Sequence, residues 1–270
     1  MDEKNLYREI MQYLRAGESF ALATVFDNVG SAPRGNGAKM IVRANGTISG
    51  SIGGGRLEAE AIRVALKTLS ARQTVILPFD LTGNGAAEEP MICGGTGQTL
   101  IDFVDAADEN CRAIYEAALG VCDRGEKAWF VTILDKAPDG TALGRQRCLV
   151  KQDKALIGKV ECDQYILEKL VAGPAKISIH AEILDDQRFL VEPLRPPGTV
   201  YIFGAGHVSQ RIAPLSLSVG FNAVALDDRP EYANRERFRE PIEVMLIDSF
   251  KGLPRSPNAA RHPCDGSADQ

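Results

Sequence analysis

The residues best suited to chemistry are glycines that precede a predicted helix. Gly53-Gly54-Gly55 is followed by Arg56 and by a helix predicted over 57–70. Backbone N–H groups at such a turn bind phosphate, because the helix dipole favours negative charge there. Arg34 and Arg56 would add bidentate, charge-assisted bonds. The alternative is that the glycines only permit a close turn and that Arg56 is solvated.

A cysteine beside two glycines is the second candidate. Cys93 precedes Gly94-Gly95, so backbone can approach it closely on one side, and a soft thiolate suits soft metals or persulfide chemistry. The alternative is a buried, inert thiol. Because the six cysteines form no CxxC pair and lack metal-ligand spacing, we predict no structural zinc site. Four of them are expected in the core: Cys111, Cys122, Cys148 and Cys162.

A second glycine turn occurs late in the chain, at Gly204 and Gly206. It follows a predicted strand over 199–203 and precedes a helix over 207–219. The first glycine permits the turn, and the second lets backbone approach a pyrophosphate. His207 would contact phosphate as a neutral donor or cap the turn.

The strand after that helix ends at Asp227, which is expected to accept hydrogen bonds from ribose hydroxyls. The order strand, turn, helix, strand, acid predicts a nucleotide-binding βαβ unit, although Ser209 replaces the third glycine of the usual fingerprint. The alternative is a Rossmann-like unit that holds no cofactor.

The elements before the second turn are predicted to be a degenerate internal duplication: helix, strand, hairpin, helix, hairpin, twice. Residues 40–52 align without a gap with 148–160, keeping the hydrophobic positions, a basic residue and a glycine. Asn45-Gly46 favours a type I′ hairpin turn. The first copy alone has the loops 31–37, 53–56 and 82–96, so function is expected there.

The predicted fold class is α/β, in two domains. An α+β domain at 1–194 is followed by a linker at 195–198 and a partial Rossmann-like βαβ domain at 199–248. Residues 249–270 show no period and are predicted to be disordered. A complete doubly wound sheet needs more strands. We interpret the second domain as truncated, in preference to a sheet completed by a partner chain.

Composition excludes several classes of protein. The 270 residues are 44% hydrophobic and 25% charged, with a net charge of −5. No apolar run approaches the roughly 20 residues that span a bilayer, and the polar N-terminus has no signal-peptide core. No basic stripe is present. We therefore expect a cytoplasmic protein without membrane or nucleic-acid partners.

Two stretches resemble the XdhC/CoxI family of xanthine dehydrogenase accessory proteins. Residues 30–34, 38–40 and 46–58, with the Cys93-Gly94-Gly95 motif, are similar to that family's N-terminal block. Residues 203–208 and 227–238 resemble the opening of its Rossmann-like domain. The resemblance implies a non-enzymatic accessory protein. It would bind the molybdenum cofactor (molybdopterin) as cargo, protect it while its terminal sulfur is installed, and hand it to an apo molybdenum hydroxylase of the xanthine-dehydrogenase type.

A cysteine desulfurase and a second copy of this chain are further candidate partners. The candidate cofactor-binding residues are the two glycine turns and their neighbours: Arg34, Gly53, Gly54, Gly55, Arg56, Cys93, Gly94, Gly95, Gly204, Gly206, His207 and Asp227. Two departures from the family matter. CoxI-like relatives often carry cysteine where this chain has Arg56, so a thiolate role is not carried over to that position. The family's later Rossmann strands, including a Gly-His motif, are missing, which leaves full activity open.

Two other functions stay open at this point. The second glycine turn would also suit an NAD(P)-dependent oxidoreductase, with NAD(P) or another nucleotide bound there. Against this, no acid–base pair is identifiable, and a nicotinamide site needs the missing half of the sheet. The third interpretation is an inactive, truncated fragment.

Overall fold

The computed structural model describes residues 3–30, 34–82, 94–134, 146–172 and 178–250. The chain divides into two compact units, Met1–Pro196 and Pro197–Gln270. Cys93 and the end of the predicted tail, from residue 251, lie outside the described residues. Among the described helices, none has the length and apolar character required to cross a membrane.

The first half of the first unit, residues 3–104, contains one antiparallel sheet and two helices. The strand order is β3-β2-β1-β5-β4. In chain order the elements are α1 (Glu3–Arg15), β1 (Phe20–Val29), β2 (Lys39–Val42), β3 (Ile48–Gly50), α2 (Gly55–Ala71), β4 (Val75–Asp80) and β5 (Thr96–Val104).

The second half, residues 109–194, repeats this arrangement with the order β8-β7-β6-β10-β9. Its elements are α3 (Glu109–Arg124), β6 (Ala128–Ile133), β7 (Arg147–Lys151), β8 (Leu156–Lys159), α4 (Gln164–Val171), β9 (His180–Leu184) and β10 (Gln187–Leu194).

Strand register confirms the predicted duplication. Leu22 pairs with Ile41 in the first half, and their sequence counterparts Phe130 and Leu149 pair in the second. A one-residue slip would move every side chain of a strand to the opposite face. The shared register therefore keeps the core positions equivalent in both copies.

The two halves pack along a common apolar seam. α1 and α3 cover it, and the rings of Tyr7 and Tyr115, at equivalent positions of these helices, lie 6.3 Å apart. Both rings are buried, and each large side chain buried in this way contributes about 1.5–3 kcal/mol. α2 and α4 pack on the outer faces of their own sheets.

Two ion pairs cross the seam reciprocally. Lys39 on β2 pairs with Glu192 of the second half, and Arg147 on β7 pairs with Asp102 of the first half at 2.6 Å. Lys39 and Arg147 occupy equivalent positions, as do Asp102 and Glu192. Burial alone would lower the pKa of Arg147, but the charge of Asp102 raises it, so the guanidinium stays charged.

The prediction of a type I′ turn at Asn45-Gly46 is wrong. Only Gly46 has a positive φ, 80°, among the two. The Gly46 N–H donates to the carbonyl of Arg43 (2.9 Å), and the Asn45 side chain accepts from the Thr47 N–H (3.0 Å). This is the pattern of a longer loop in which a type I turn is followed by a left-handed glycine.

The second unit is a parallel sheet of the order β11-β12-β13. Its elements are β11 (Thr199–Phe203), α5 (Ser209–Ser218), β12 (Asn222–Asp227) and β13 (Glu243–Leu246). Ala213 of α5 packs on the alanines of β12, and Phe238 and Ile242 complete this core. The partial Rossmann-like unit predicted from the sequence is therefore present.

Candidate functional site

The three connections in which the sequence predicts function leave the same end of the first half's sheet. β1, β3 and β4 finish there, and β2 and β5 begin there. We call this the loop end. The Ser51 N–H, just after β3, donates to the carbonyl of Lys39 at the start of β2 (3.1 Å). Antiparallel pairing thus places the described parts of the three connections, residues 30 and 34–38, 51–55, and 81–82 with 94–95, at the same end of the sheet.

Backbone contacts join two of these connections. A Cβ placed on Gly30 would lie 3.1 Å from the carbonyl oxygen of Gly94 and 3.3 Å from Cα of Gly95. Gly95 in turn accepts a hydrogen bond from the Leu81 N–H (2.8 Å). Gly94 is exposed and Gly95 is buried. Gly94-Gly95 therefore lies at the loop end, and Cys93 is outside the described residues.

The Gly53-Gly54-Gly55 turn has positive φ at all three residues, namely 132°, 79° and 58°. Gly54, with ψ −175°, lies in a region that is essentially restricted to glycine. No atom lies within 4 Å of a Cβ built on Gly54 or Gly55, so the turn is open on that side.

The upstream N–H groups of this turn are bound by a carboxylate of the chain itself. Oε1 of Glu58 accepts from the N–H groups of Ile52 (3.0 Å), Gly53 (3.2 Å) and Gly54 (2.8 Å), and from the Ser51 hydroxyl (2.6 Å). Burial alone would raise the pKa of Glu58, but these bonds lower it overall. This wider role of Glu58 is evident only in the structure, because its sequence position in the first turn of α2 indicates no more than stabilisation of the helix start.

An anion at this turn would therefore have to bind to other groups. The first N–H groups of a helix have no partner within it, which leaves those of Gly55, Arg56 and Leu57. Arg34 and Arg56 are exposed, and neither forms an ion pair with another described residue. Binding of a ligand by Gly53 and Gly54 stays a prediction, and it would require that Glu58 be displaced.

The remaining described cysteines are structural, as expected. Cys148 is buried in the core of the second half, and Cys111, Cys122 and Cys162 are half-buried against apolar clusters. Burial raises the pKa of Cys111 and of Cys148 to about 12. These two thiols stay protonated at neutral pH, which makes them poor nucleophiles.

Hydrogen bonds to β12 and α5 fix the second glycine turn. Gly204 has φ 91°, its N–H donates to the Leu226 carbonyl (2.7 Å), and its carbonyl accepts from the Ser209 hydroxyl. No atom lies within 4 Å of a Cβ built on Gly206, and His207 is exposed. The outer side of this turn is therefore accessible.

Asp227 is fully buried and bonded within the chain. Its Oδ2 accepts from the Ala205 N–H (2.7 Å), and both oxygens accept from the Arg229 guanidinium (2.9 and 3.1 Å). The bonds from Arg229 hold the pKa of Asp227 well below its usual range, although burial opposes this. Ribose binding by Asp227 stays a prediction, and this geometry argues against it. The only signal for Arg229 was its position two residues beyond the acid.

Comparison with known proteins bears on the segment that carries the loop end. Residues 13–80 match the model of the XdhC and CoxI family. The uncharacterized protein YqeB of Escherichia coli (strain K12) is 35% identical over 97 residues, which are 36% of this chain and 18% of YqeB. A crystal structure of a xanthine dehydrogenase from Bacillus halodurans has a TM-score of 0.65 at 20% identity, covering 93% of this chain and 72% of that one. That likeness shows the fold. The resemblance to the XdhC and CoxI family found in the sequence is thus confirmed over residues 13–80.

Proposed function

We propose that this protein is a maturation chaperone that binds the molybdenum cofactor as cargo, protects it, and inserts it into a molybdenum hydroxylase of the xanthine-dehydrogenase type. The observation that carries the proposal is the loop end. Two of the three connections that leave the sheet there lie within the matched residues 13–80, and they bring an open glycine turn and two exposed arginines to the loop end. A cysteine desulfurase that installs the terminal sulfur would be a second partner.

The donors at the loop end suit a phosphorylated cargo. Molybdopterin carries a phosphate, a flat pterin and a dithiolene that holds the metal. The N–H groups of Gly55, Arg56 and Leu57 begin α2, where the helix dipole favours an anion. The guanidinium of Arg56 starts from the same helix turn, and Arg34 belongs to a neighbouring connection. A thiolate at Cys93 would offer the metal a soft ligand.

Cofactor retention on gel filtration tests the proposal. The purified protein is mixed with molybdenum cofactor, and molybdenum is measured in the protein peak. Retention is expected for the wild type and should fall at least tenfold for Gly54→Ala, because a Cβ there costs about 1–3 kcal/mol of backbone strain and distorts the turn. Arg56→Ala should lower it as well, through the loss of a charge-assisted bond.

The chain offers matched controls for both variants. Gly17 also has a positive φ (75°) and open space around it, but it follows α1, and Lys67 is an exposed cation on α2. Gly17→Ala and Lys67→Ala should retain cofactor like the wild type. Absence of retention by the wild type, together with no activation of an apo-hydroxylase, would overturn the proposal.

The oxidoreductase interpretation is not favoured by the second glycine turn. It requires a carboxylate at the end of β12 that is available to ribose hydroxyls. Asp227 has its oxygens engaged by Ala205 and Arg229 instead. The accessible outer side of Gly206 is compatible with nucleotide binding, but by itself it identifies no ligand.

A further inference from the structure

The crossed ion pairs border two cavities at equivalent places along the seam. Lys39, Glu192 and Tyr7 line a cavity of about 230 Å³. Their counterparts Arg147, Asp102 and Tyr115 line one of only about 40 Å³. The same three kinds of side chain therefore border an open space in one half and a much smaller one in the other.

The second cavity is small because its cation occupies much of the space. The Arg147 guanidinium donates to Asp102 (2.6 Å), to the Tyr115 hydroxyl (3.0 Å) and to Oγ1 of Thr132 (2.8 Å). Lys39 has a compact head group with three N–H donors, in contrast to the five of an arginine. It donates to Glu192 and to Oγ1 of Thr24 (3.1 Å), and the space beside it stays open.

The open cavity has an acid with spare capacity to accept hydrogen bonds. Oε2 of Glu192 accepts from Lys39, whereas Oε1 accepts no bond from another described residue. The side chains of Lys39 and Glu192 are only 9% and 12% exposed. In so buried a place, hydrogen bonds from a polar ligand group to both side chains would contribute more free energy than they would in water.

We infer that this cavity binds the 2-amino-4-oxo-pyrimidine edge that pterins and guanine share. The adjacent amino and ring N–H groups of that edge donate to the Glu192 carboxylate, and the 4-oxo oxygen accepts from the Lys39 ammonium. Tyr7 and Pro193, which line the cavity, would flank the flat ring. A carboxylate recognises paired N–H donors in the same bidentate manner that it recognises arginine.

Cavity size restricts the part of a ligand that enters. About 230 Å³ equals the volume of roughly eight water molecules in the liquid and is below the ~300–1,000 Å³ of sites for drug-sized ligands. A bicyclic ring fits, and a whole molybdopterin does not. Asn36 and Gly37, from the connection that carries Arg34, also line the cavity, so the rest of the ligand would extend to the loop end. The inference thus deepens the proposed function, on which it rests, by assigning the pterin ring to this cavity.

Fluorescence titration with two pteridines tests the inference on the wild-type protein. Pterin has the 2-amino group, and lumazine has an oxygen in its place that would face the carboxylate. Pterin should bind saturably and at least tenfold more tightly than lumazine. Equal binding of the two, or none, would overturn the inference. Guanosine is the third ligand. Tighter binding of guanosine than of pterin would support recognition of the 2-amino-4-oxo-pyrimidine edge. It would contradict the assignment of the cavity to the molybdenum cofactor.

Equivalent variants in the two halves give the second measurement. Glu192→Gln should weaken pterin binding at least tenfold. Asp102→Asn, its counterpart beside the smaller cavity, should leave pterin affinity within twofold of the wild type. Circular dichroism checks that each variant is folded; if either is not, the pterin–lumazine difference on the wild type decides alone. Cofactor retention that depends on Gly54 without any pterin binding would sink this inference and spare the proposed function.

Discussion

Both glycine turns precede a helix, and both are held by a carboxylate of the chain itself. At 53–55 the acid is Glu58, which lies on the helix that follows and reaches back to three N–H groups. At 204–206 it is Asp227, which lies on the next strand, is fully buried and is paired with Arg229. The first arrangement is local and half-buried, and the second depends on tertiary structure. A ligand anion would meet less resistance at the first turn.

Removal of Asp227 should have the largest effect on stability. Asp227→Ala leaves the Ala205 N–H without its acceptor and breaks the bonds to Arg229, at a cost of about 2–3 kcal/mol. Urea unfolding followed by circular dichroism measures it. Asp228→Ala is the control, because Asp228 is 40% exposed and lies 3.9 Å from Arg229. Equal stability of the two variants would mean that the second turn is not held by Asp227.

Removal of Glu58 should lower the free energy of unfolding by less, about 1–2 kcal/mol, as the loss of a helix-capping side chain does. The N–H groups of Gly53 and Gly54 should then exchange with solvent faster, which hydrogen-exchange mass spectrometry detects. Glu60→Ala removes an exposed acid from the same helix, which is paired with Arg63, and should leave this exchange unchanged. Unaltered exchange in Glu58→Ala would contradict the idea that Glu58 holds the turn.

Acid should loosen the two turns in sequence. The pKa of each carboxyl is lower in the folded protein than its ordinary value, so its contribution is complete above about pH 4–5 and is lost as pH falls through the folded pKa. The stability difference between wild type and Glu58→Gln should therefore shrink at a higher pH than that for Asp227→Asn. Urea midpoints at pH 7, 5, 4 and 3 measure both. A reversed order would contradict the conclusion that the carboxylate of Asp227 is stabilised more strongly than that of Glu58.

Gly206→Ala should have the smallest effect, within about 0.5 kcal/mol. Gly206 has open space around it and does not have a positive φ. Gly204 has φ 91°, so Gly204→Ala should lower the free energy of unfolding by about 1–2 kcal/mol. The urea midpoint distinguishes them. Saturable NAD(H) fluorescence in the wild type that disappears in Gly206→Ala would revive nucleotide binding at the second turn.

Sequence pattern predicted much of the fold because hydrophobic period and strand register follow from local residues. Residues 40–52 and 148–160 share their pattern, and their strands share their register. β1 runs to Val29, past the polar Asp27-Asn28 pair, because Asp27 adopts a positive φ of 51° within an irregular stretch and the strand continues. A polar Asp-Asn pair is typical of a turn, so the sequence favoured an earlier end.

The candidate site was harder to predict. Sequence located the glycine turns, because few other residues adopt such φ values. It could not predict that Glu58 and Asp227 occupy their N–H groups, since this depends on side-chain direction after the chain has folded. It also missed the Lys39–Glu192 pair, whose members are distant in sequence and meet only when the halves pack.

The exchange of partners across the seam makes the two halves depend on each other. Were the chain divided after residue 107, each fragment would contain one cation and one acid whose partners lie in the other fragment. A lone charge in an apolar surface opposes folding. Each half therefore relies on the other to neutralise its own charges.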